Sequence, residues 1–442
     1  EKKRERNIKK MLRDRLPGSI FELLEKAGQL SAEMDFQLYI VGGFVRDIFL
    51  DRDNLDVDLV VEGDGISFAR ALAGRLGGRI RAHHKFQTAV VILENGQKID
   101  VATARLEYYE HPAALPTVEL SSIKMDLYRR DFSINALAVH LNPDNFGKLV
   151  DFFGGQRDIK DKIIRVLHSL SFVEDPTRII RAIRFEQRFS FRIGTQTEKL
   201  IKNAVELDIF HRLSGSRIFH ELQMTFEESN PLGCISRMEH FGLLRNIHPL
   251  LQLTPNINKI LLEIEKVINW FQLLYTEETI QKWMLYLLGL FSSIDDSQTR
   301  IITTRFNFTQ KQETVFFNLR EQVKESVARL YRWHKHQQKN SKLYYILEPL
   351  PVEGLLFMMA RTRNEEVRKK ISFFITHLRN ITPQLTGQDL KQMGFKPGPV
   401  YGRILKELKA AQIDGLSCDK KAQTEWVKKN YAREIPQNQQ KG

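Results

Sequence analysis

The stretch YIVGGFVRDIFLDRDNLDVD, Tyr39–Asp58, limits what this chain can fold into more than any other. An apolar run, Leu38–Val41, reads as a short buried strand. It stops at Gly42-Gly43, where a backbone without Cβ turns tightly and lets a phosphate approach. Arg46 and Asp47 follow, on a segment that reads as a short helix whose first amides point back over the turn and favour an anion. A second strand then carries Asp56 and Asp58, two residues apart and therefore on one face. Adjacent carboxylates repel each other unless a cation lies between them, and oxygen ligands shared with phosphate suit Mg²⁺. A Gly-Gly turn or an Asp-x-Asp pair alone is common; packing does not explain their succession with Arg-Asp and a helix between them. That order predicts a site for metal-dependent nucleotidyl transfer.

At 442 residues the chain is long enough for two to four domains, each with its own core. No run approaches the ~18 apolar residues that a membrane span needs, so a soluble globular protein is expected. The 67 Lys and Arg against 54 Asp and Glu leave a net charge of +13, which suits a polyanion such as nucleic acid and equally keeps a protein from precipitating. Cys234 and Cys418 lie far apart with no metal-ligand spacing, which implies neither a zinc site nor a disulfide framework and fits a cytoplasmic protein. The chain opens on Glu1 in a basic stretch without an apolar segment behind it, which is no signal peptide and reads as part of something longer.

Residues 1–34 are expected as a helical lead-in broken at Leu16-Pro17-Gly18-Ser19. After the acidic strand, Ile66–Leu76 reads as an amphipathic helix closed by Gly77-Gly78. Phe86–Leu93 and Lys98–Ala102 read as a hairpin turned at Asn95-Gly96. Asp100 lies on its second arm, placed either to join Asp56 and Asp58 as a third catalytic carboxylate or to cap a neighbouring strand. Residues 105–124, with two prolines and no sustained periodicity, read as a loop at the mouth of the site or a passive connection. LYRRDFSINALAVH, Leu127–His140, and LVDFFGGQRDIKDKIIRVL, Leu149–Leu167, follow, the second reading as a strand, a Gly154-Gly155 turn and a charged helix.

In FVEDPTRIIRAIRF, Phe172–Phe185, Glu174 and Asp175 precede Pro176, so a helix is expected to begin there with acids at its start. Asp175, Arg178 and Arg181 recur every three residues and share one face. A carboxylate beside a guanidinium imitates a base edge: Arg178 donates to ring positions of C or A while Asp175 accepts from the amino group that G and U lack there. An isolated Asp-x-x-Arg is more often a surface ion pair. In GSRIFHEL, Gly215–Leu222, Arg217 and Glu221 are four apart and can pair on a helix. Leu232–Leu378 shows helical periods with aromatic faces such as Trp270, Phe271, Leu274 and Tyr275, read as core. Arg329, Arg332, Lys335, Lys339 and Lys342 form a basic face, either solvated or following an RNA backbone. Residues 430–442 are polar and expected to be disordered.

Taken together, GGFVRD, LDVDLV, RRDFSINA and EDPTR resemble the tRNA nucleotidyltransferase and bacterial poly(A) polymerase branch of the DNA polymerase β-like superfamily, and EDPTR its class II. The resemblance runs motif by motif over residues 36–225, with Ser133 where the family has Thr, and more weakly over 386–408. It implies an α+β head, a mixed sheet with helices, followed by an all-α neck, body and tail. The divisions would be 1–34 lead-in, 35–168 head, 169–230 neck, 231–380 body and 381–442 tail.

The implied activity is template-independent addition of CCA, or of the terminal A, from CTP and ATP to the acceptor arm of tRNA. Mg²⁺ would be held by Asp56 and Asp58, and the nucleotide by Gly42, Gly43, Arg46, Asp47, Arg130, Asp131, Asn135, Asp175, Arg178, Arg181 and Arg184. Glu174, Arg217 and Glu221 would brace the nucleotide-reading helix, and Lys396, Gly398 and Arg403 in the tail would hold RNA backbone. The 105–124 stretch corresponds to a flexible catalytic loop, and its length tilts away from enzymes that add only CC. A poly(A) polymerase shares these motifs, and an inactive RNA-binding module of the same fold is the rival of another class.

Overall fold

The computed structural model describes residues 6–108, 117–336 and 338–434, and the chain divides into two compact units, Glu1–Gln252 and Leu253–Gly442. The first opens with α1 (Lys9–Arg15) and α2 (Gly18–Glu33), separated at Leu16-Pro17 as the Pro-Gly pair requires. Next come β1 (Gln37–Val41), α3 (Gly43–Leu50), β2 (Val57–Glu62), α4 (Gly65–Leu76), β3 (Gly78–His83), β4 (Thr88–Leu93) and β5 (Lys98–Thr103). Then follow β6 (Arg105–Tyr108), β7 (Thr117–Leu120), α5 (Ile123–Tyr128), β8 (Ala138–His140), β9 (Leu149–Val150), α6 (Gly155–Asp161) and β10 (Ile163–Ile164). The unit closes with α7 (Ser171–Glu174), α8 (Thr177–Phe189), β11 (Arg192–Ile193), α9 (Thr195–Glu206), α10 (Gly215–Phe226), α11 (Pro231–His240) and α12 (Leu243–Ile247).

Seven strands form one mixed sheet in the order β3-β4-β5-β2-β1-β8-β9. All pairings are antiparallel except β2 with β5, which run parallel with Asp58 opposite Asp100 and Val57 opposite Ile99. The central strands are apolar nearly throughout because both sheet faces are covered: Leu38, Ile40, Leu59, Val61, Ile99 and Val101 are buried on one face, and Tyr39, Val41, Val60 and Ala138 on the other. β4 and β5 form the hairpin expected at Asn95-Gly96, with Gly96 at φ +83°.

The 105–124 stretch is more ordered at its ends than its composition suggests. β6 and β7 pair antiparallel from Arg105–Leu120 to Tyr108–Thr117, while the part of the expected loop at 109–116 lies outside the described residues. α11 packs on α8 within the first unit.

Every regular element described in the second unit is a helix. It contains α13 (Pro255–Gln272), α14 (Lys282–Leu290), α15 (Asp296–Arg305), α16 (Gln310–Lys335), α17 (Asn340–Leu347), α18 (Val352–Arg361), α19 (Glu365–Thr376), α20 (Gly387–Gln392), α21 (Pro399–Ile413) and α22 (Lys420–Tyr431). Of the aromatic face read as core, Phe271 is buried, but Tyr275 lies beyond the end of α13 and is 88% exposed. Helix α22 runs to Tyr431, whose ring is buried beside Leu408 and Val427, so order extends past residue 430; 435–442 lie outside the described residues. Among the described residues no single helix is long and apolar enough to cross a membrane.

Candidate active site

A cavity of about 700 Å³ in the first unit is lined by Gly43, Arg46, Asp58, Arg129, Arg130, Asp131, Asn135, Asp175, Arg178, Arg181, Phe185, Arg217 and Glu221, among others. It thus gathers residues from the three motif regions, 42–58, 129–135 and 175–185, and from α10. Gly42 sits at φ +71°, a conformation that favours glycine, and a Cβ there would lie 2.8 Å from Nη1 of Arg130 and push that guanidinium aside. Nε of Arg130 is buried with no hydrogen-bond partner among the described residues, a donor left over beside the turn. Asp126 holds both guanidiniums of the Arg-Arg pair. It is wholly buried and accepts from Arg129 at 2.8 Å and Arg130 at 3.2 Å. Burial pushes its carboxyl up, but Arg130 and Arg129 outweigh that and hold it below the ordinary range. Sequence reading passed over this residue, although its spacing of three and four from the two arginines that follow α5 was the available signal.

The acids lie at the end of β2. Asp56 just precedes the strand and is exposed, Asp58 is half-buried, and Asp100 stands beside Asp58 across the parallel ladder. Only Asp58 of the three lines the cavity. Burial pushes its carboxyl up to about 6, with Asp100 and Asp56 adding to the rise and Arg130 opposing it; Asp100 is raised by burial and by Asp56. No hydrogen bond or ion pair to these three carboxylates is made among the described residues. Their mutual repulsion is what a divalent cation relieves, and hard oxygen donors fit one. Among the described residues no three His, Cys, Asp or Glu side chains form a complete cage; the acid edge is open, as suits a cation shared with substrate oxygens.

Several expected nucleotide ligands are engaged within the protein. Arg46 is buried, donates to Asp47 at 2.8 and 2.9 Å and to Asn135 at 2.7 Å, and stacks 4.6 Å over Phe189. It lines the cavity chiefly as the brace of the glycine turn. Asp47 takes Arg46 and also Asn54 at 2.7 Å, and it lines a separate small cavity instead of this one. Asn135 accepts from Arg46 and donates to Asp131 at 2.9 Å, so only one amide hydrogen and one lone pair are left over. Asp131 is buried, paired with Arg181 at 2.6 Å; burial raises its carboxyl, but Arg181 and Asn135 carry it below 3.8. A single sequence shows a charged pattern but not which charges cancel in space.

The base-reading helix also departs from expectation. Asp175 is not helical: α7 ends at Glu174, Asp175 is extended at φ −137°, and α8 starts at Thr177 behind Pro176. The residue before a proline is driven out of the helical region, which explains the break. Asp175 accepts from Thr177 and from Arg217 at 2.8 Å, and Asp175, Arg178 and Arg181 still line one cavity. Glu174 turns to His168 at 3.5 Å and does not line it. Arg184 is also excluded. It is buried between Glu221 at 2.8 Å and Glu228 at 3.0 Å, so it joins α8 to α10. Arg217 and Glu221 therefore brace α8 by reaching across to Asp175 and Arg184. In the tail, Lys396 and Gly398 are exposed at the start of α21, and Arg403 pairs with Glu434.

A glycine turn with a donor left over, an edge of three carboxylates and a cavity of about 700 Å³ beside a carboxylate–guanidinium pair suit one class of reaction, and the first unit has the architecture of a polymerase β-like nucleotidyltransferase. Residues 38–165 match the poly A polymerase head domain, and residues 190–253 match a domain described as the probable RNA and SrmB-binding site of polymerase A. An A-adding tRNA nucleotidyltransferase of Geobacter sulfurreducens is 46% identical over 415 residues, 93% of this chain and 47% of its own length. One of Halalkalibacterium halodurans is 30% identical over 440 residues, 97% of each chain. The solved structure of the Thermotoga maritima CCA-adding enzyme complexed with tRNA-CCA superposes with a TM-score of 0.76 at 34% identity, covering 96% of this chain and 98% of that one. The chain belongs to the tRNA nucleotidyltransferase and poly(A) polymerase family. It spans about half the length of the Geobacter relative.

Proposed function

We propose that this chain adds the terminal A to the 3′ end of tRNA, using ATP and no nucleic-acid template. The observation that carries the reading is that Asp58 and the pair Asp175 and Arg178 line one cavity, so a nucleotide read by the pair has its phosphates near the acid edge. The names of the Geobacter and Halalkalibacterium relatives support A addition, and two free cysteines fit a reducing compartment such as the cytoplasm.

In this mechanism Gly42, Gly43 and Arg130 cradle the triphosphate, with Arg46 holding the turn in shape. Arg178 donates to the base edge and Asp175, steadied by Arg217, accepts from the exocyclic amino group. Asp56 and Asp58 would hold Mg²⁺, which when bound would supply acidification of the primer hydroxyl and neutralisation of the leaving pyrophosphate. Asp100, exposed beside Asp58, accepts the hydroxyl proton or orients its neighbour. The helices of the second unit, with their exposed Arg329, Arg332, Lys335, Lys339 and Lys342, hold the acceptor arm through phosphates and shape.

A second reading, addition of all three nucleotides from CTP and ATP, is favoured by the full-length likeness to the Thermotoga CCA-adding enzyme. Labelled ATP and CTP, alone and together, offered to tRNA ending at the discriminator base, after C and after CC, separate the two. One A on the CC-ended primer alone is the expected result. CTP extension of the bare end establishes the second reading, and long A tracts on unrelated RNA would mean a poly(A) polymerase. No Mg²⁺-dependent incorporation on any primer would sink the catalytic assignment.

A further inference from the structure

Arg178 is buried except where it meets the cavity, and its guanidinium is held at two points. Nη1 donates to the hydroxyl of Ser171 at 2.8 Å, and Nη2 donates to the backbone carbonyl of Arg129 at 2.8 Å. A guanidinium carries five N–H groups, so one hydrogen on each terminal nitrogen is left for a ligand. The carbonyl at position 129 is available whatever residue stands there, but the hydroxyl comes only from Ser171. That side chain is wholly buried at the start of α7, and the turn that brings it back to α8 is closed by the Asp175 amide donating to the Ser171 carbonyl at 3.1 Å. Serine adds little apolar packing, so its oxygen is the informative atom.

We propose that Ser171 is a positioning residue for base selection, fixing the plane of Arg178 so that its remaining N–H groups meet the acceptors of the correct base. The inference rests on the reading of Arg178 as a base-contacting residue. G and U differ from A and C in the order of donors and acceptors along the same edge, so discrimination depends on the angle of the donors more than on their presence. A side chain held at one point instead of two tilts beyond the 10–20° or so that a productive site tolerates. Loss of the hydroxyl therefore weakens choice more than it weakens turnover.

The test uses the full chain with Ser171→Ala, Ser171→Cys and Ser171→Thr, and measures kcat and KM for ATP and for GTP and UTP on tRNA ending in CC. The cysteine variant nearly matches serine in size and is a weak acceptor, so it tests the oxygen without a cavity, and unfolding midpoints report whether each variant is folded. In the alanine and cysteine variants the preference for ATP over GTP falls about tenfold, the worth of one hydrogen bond to a charged group, mainly through a raised KM for ATP. Threonine restores the preference. An unchanged preference in folded alanine or cysteine variants overturns the proposal, as does an equal loss of kcat for every nucleotide. If the unsubstituted chain incorporates nothing on any tRNA, the functional reading fails and this inference with it; a selective parent with an equally selective cysteine variant refutes this inference alone.

Discussion

Asp58 on β2, half-buried, and Arg184 on α8, buried, both carry ionisable side chains drawn away from water, yet their surroundings are opposite. Asp58 faces two more carboxylates, Asp56 and Asp100, whereas Arg184 lies between Glu221 and Glu228. A charge held among its like is unfavourable until something arrives, and a charge held among its opposites is already at rest. The sheet edge is thus kept for a ligand, while the arginine face of α8 is divided between Arg178, which has hydrogens left over, and Arg184, which joins helices. Burial alone does not separate these roles; the sign of the neighbours does.

The largest expected effect tests the acid edge. Asp58→Asn lowers nucleotide incorporation by about a thousandfold or more, as expected where a metal ligand is lost. The unfolding midpoint stays level or rises, because a raised carboxyl has been removed. Added Mg²⁺ raises the midpoint of the parent and leaves that of Asp58→Asn in place; a fall in stability in this variant would break the contrast.

Arg184→Met should do the reverse, leaving Glu221 and Glu228 buried without their cation. A cost of about 3–5 kcal/mol in chemical denaturation is expected, and a loss below about 1 kcal/mol would show that Arg188, paired with the same Glu228, suffices.

Asp131→Asn gives a smaller effect with a pH signature. The folded carboxyl lies below its ordinary 3.8 because Arg181 and Asn135 outweigh burial, so its stabilisation is complete above that value and lost as pH falls through the folded one. The variant is weaker than the parent by about 2 kcal/mol at pH 7, and the gap narrows as pH falls below the ordinary carboxylate range. A gap constant over that range would mean that the folded carboxyl titrates as the unfolded one does and that Arg181 does not hold it down.

The least effect is expected in the tail. Lys396→Ala raises the KM for tRNA about two- to threefold and reduces the salt dependence of binding by about one counterion. No change in the salt slope would leave Lys396 a solvated surface residue.

Much of this was legible in the sequence because it is local. The glycine turn, the acidic strand and the Asn95-Gly96 hairpin each declare themselves within ten residues or so, and the mixed sheet followed by helices came with the family resemblance. What was not legible is pairing over distance. Nothing near Arg46 shows that its guanidinium will donate to Asn135, 89 residues on. Nothing near Arg184 indicates Glu228, forty-four residues on. The proline that marked a helix start also excluded Asp175 from that helix, a local rule whose full consequence the simple reading missed. Tyr275 was misplaced because a helical period was extended past the end of α13.

Asp58 and Asp100 face each other only because β2 and β5 pair in one register. A slip of a single residue would turn Asp100 to the opposite side of the sheet along with every side chain of its strand. Forty-two residues separate the two acids, so their meeting is a late, non-local event in the history of each molecule, paid for in loop closure before any contact rewards it. During synthesis the ribosome has released the glycine turn and the first two acids well before β5 can dock. A growing chain therefore carries an incomplete acid edge until the hairpin closes beside β2.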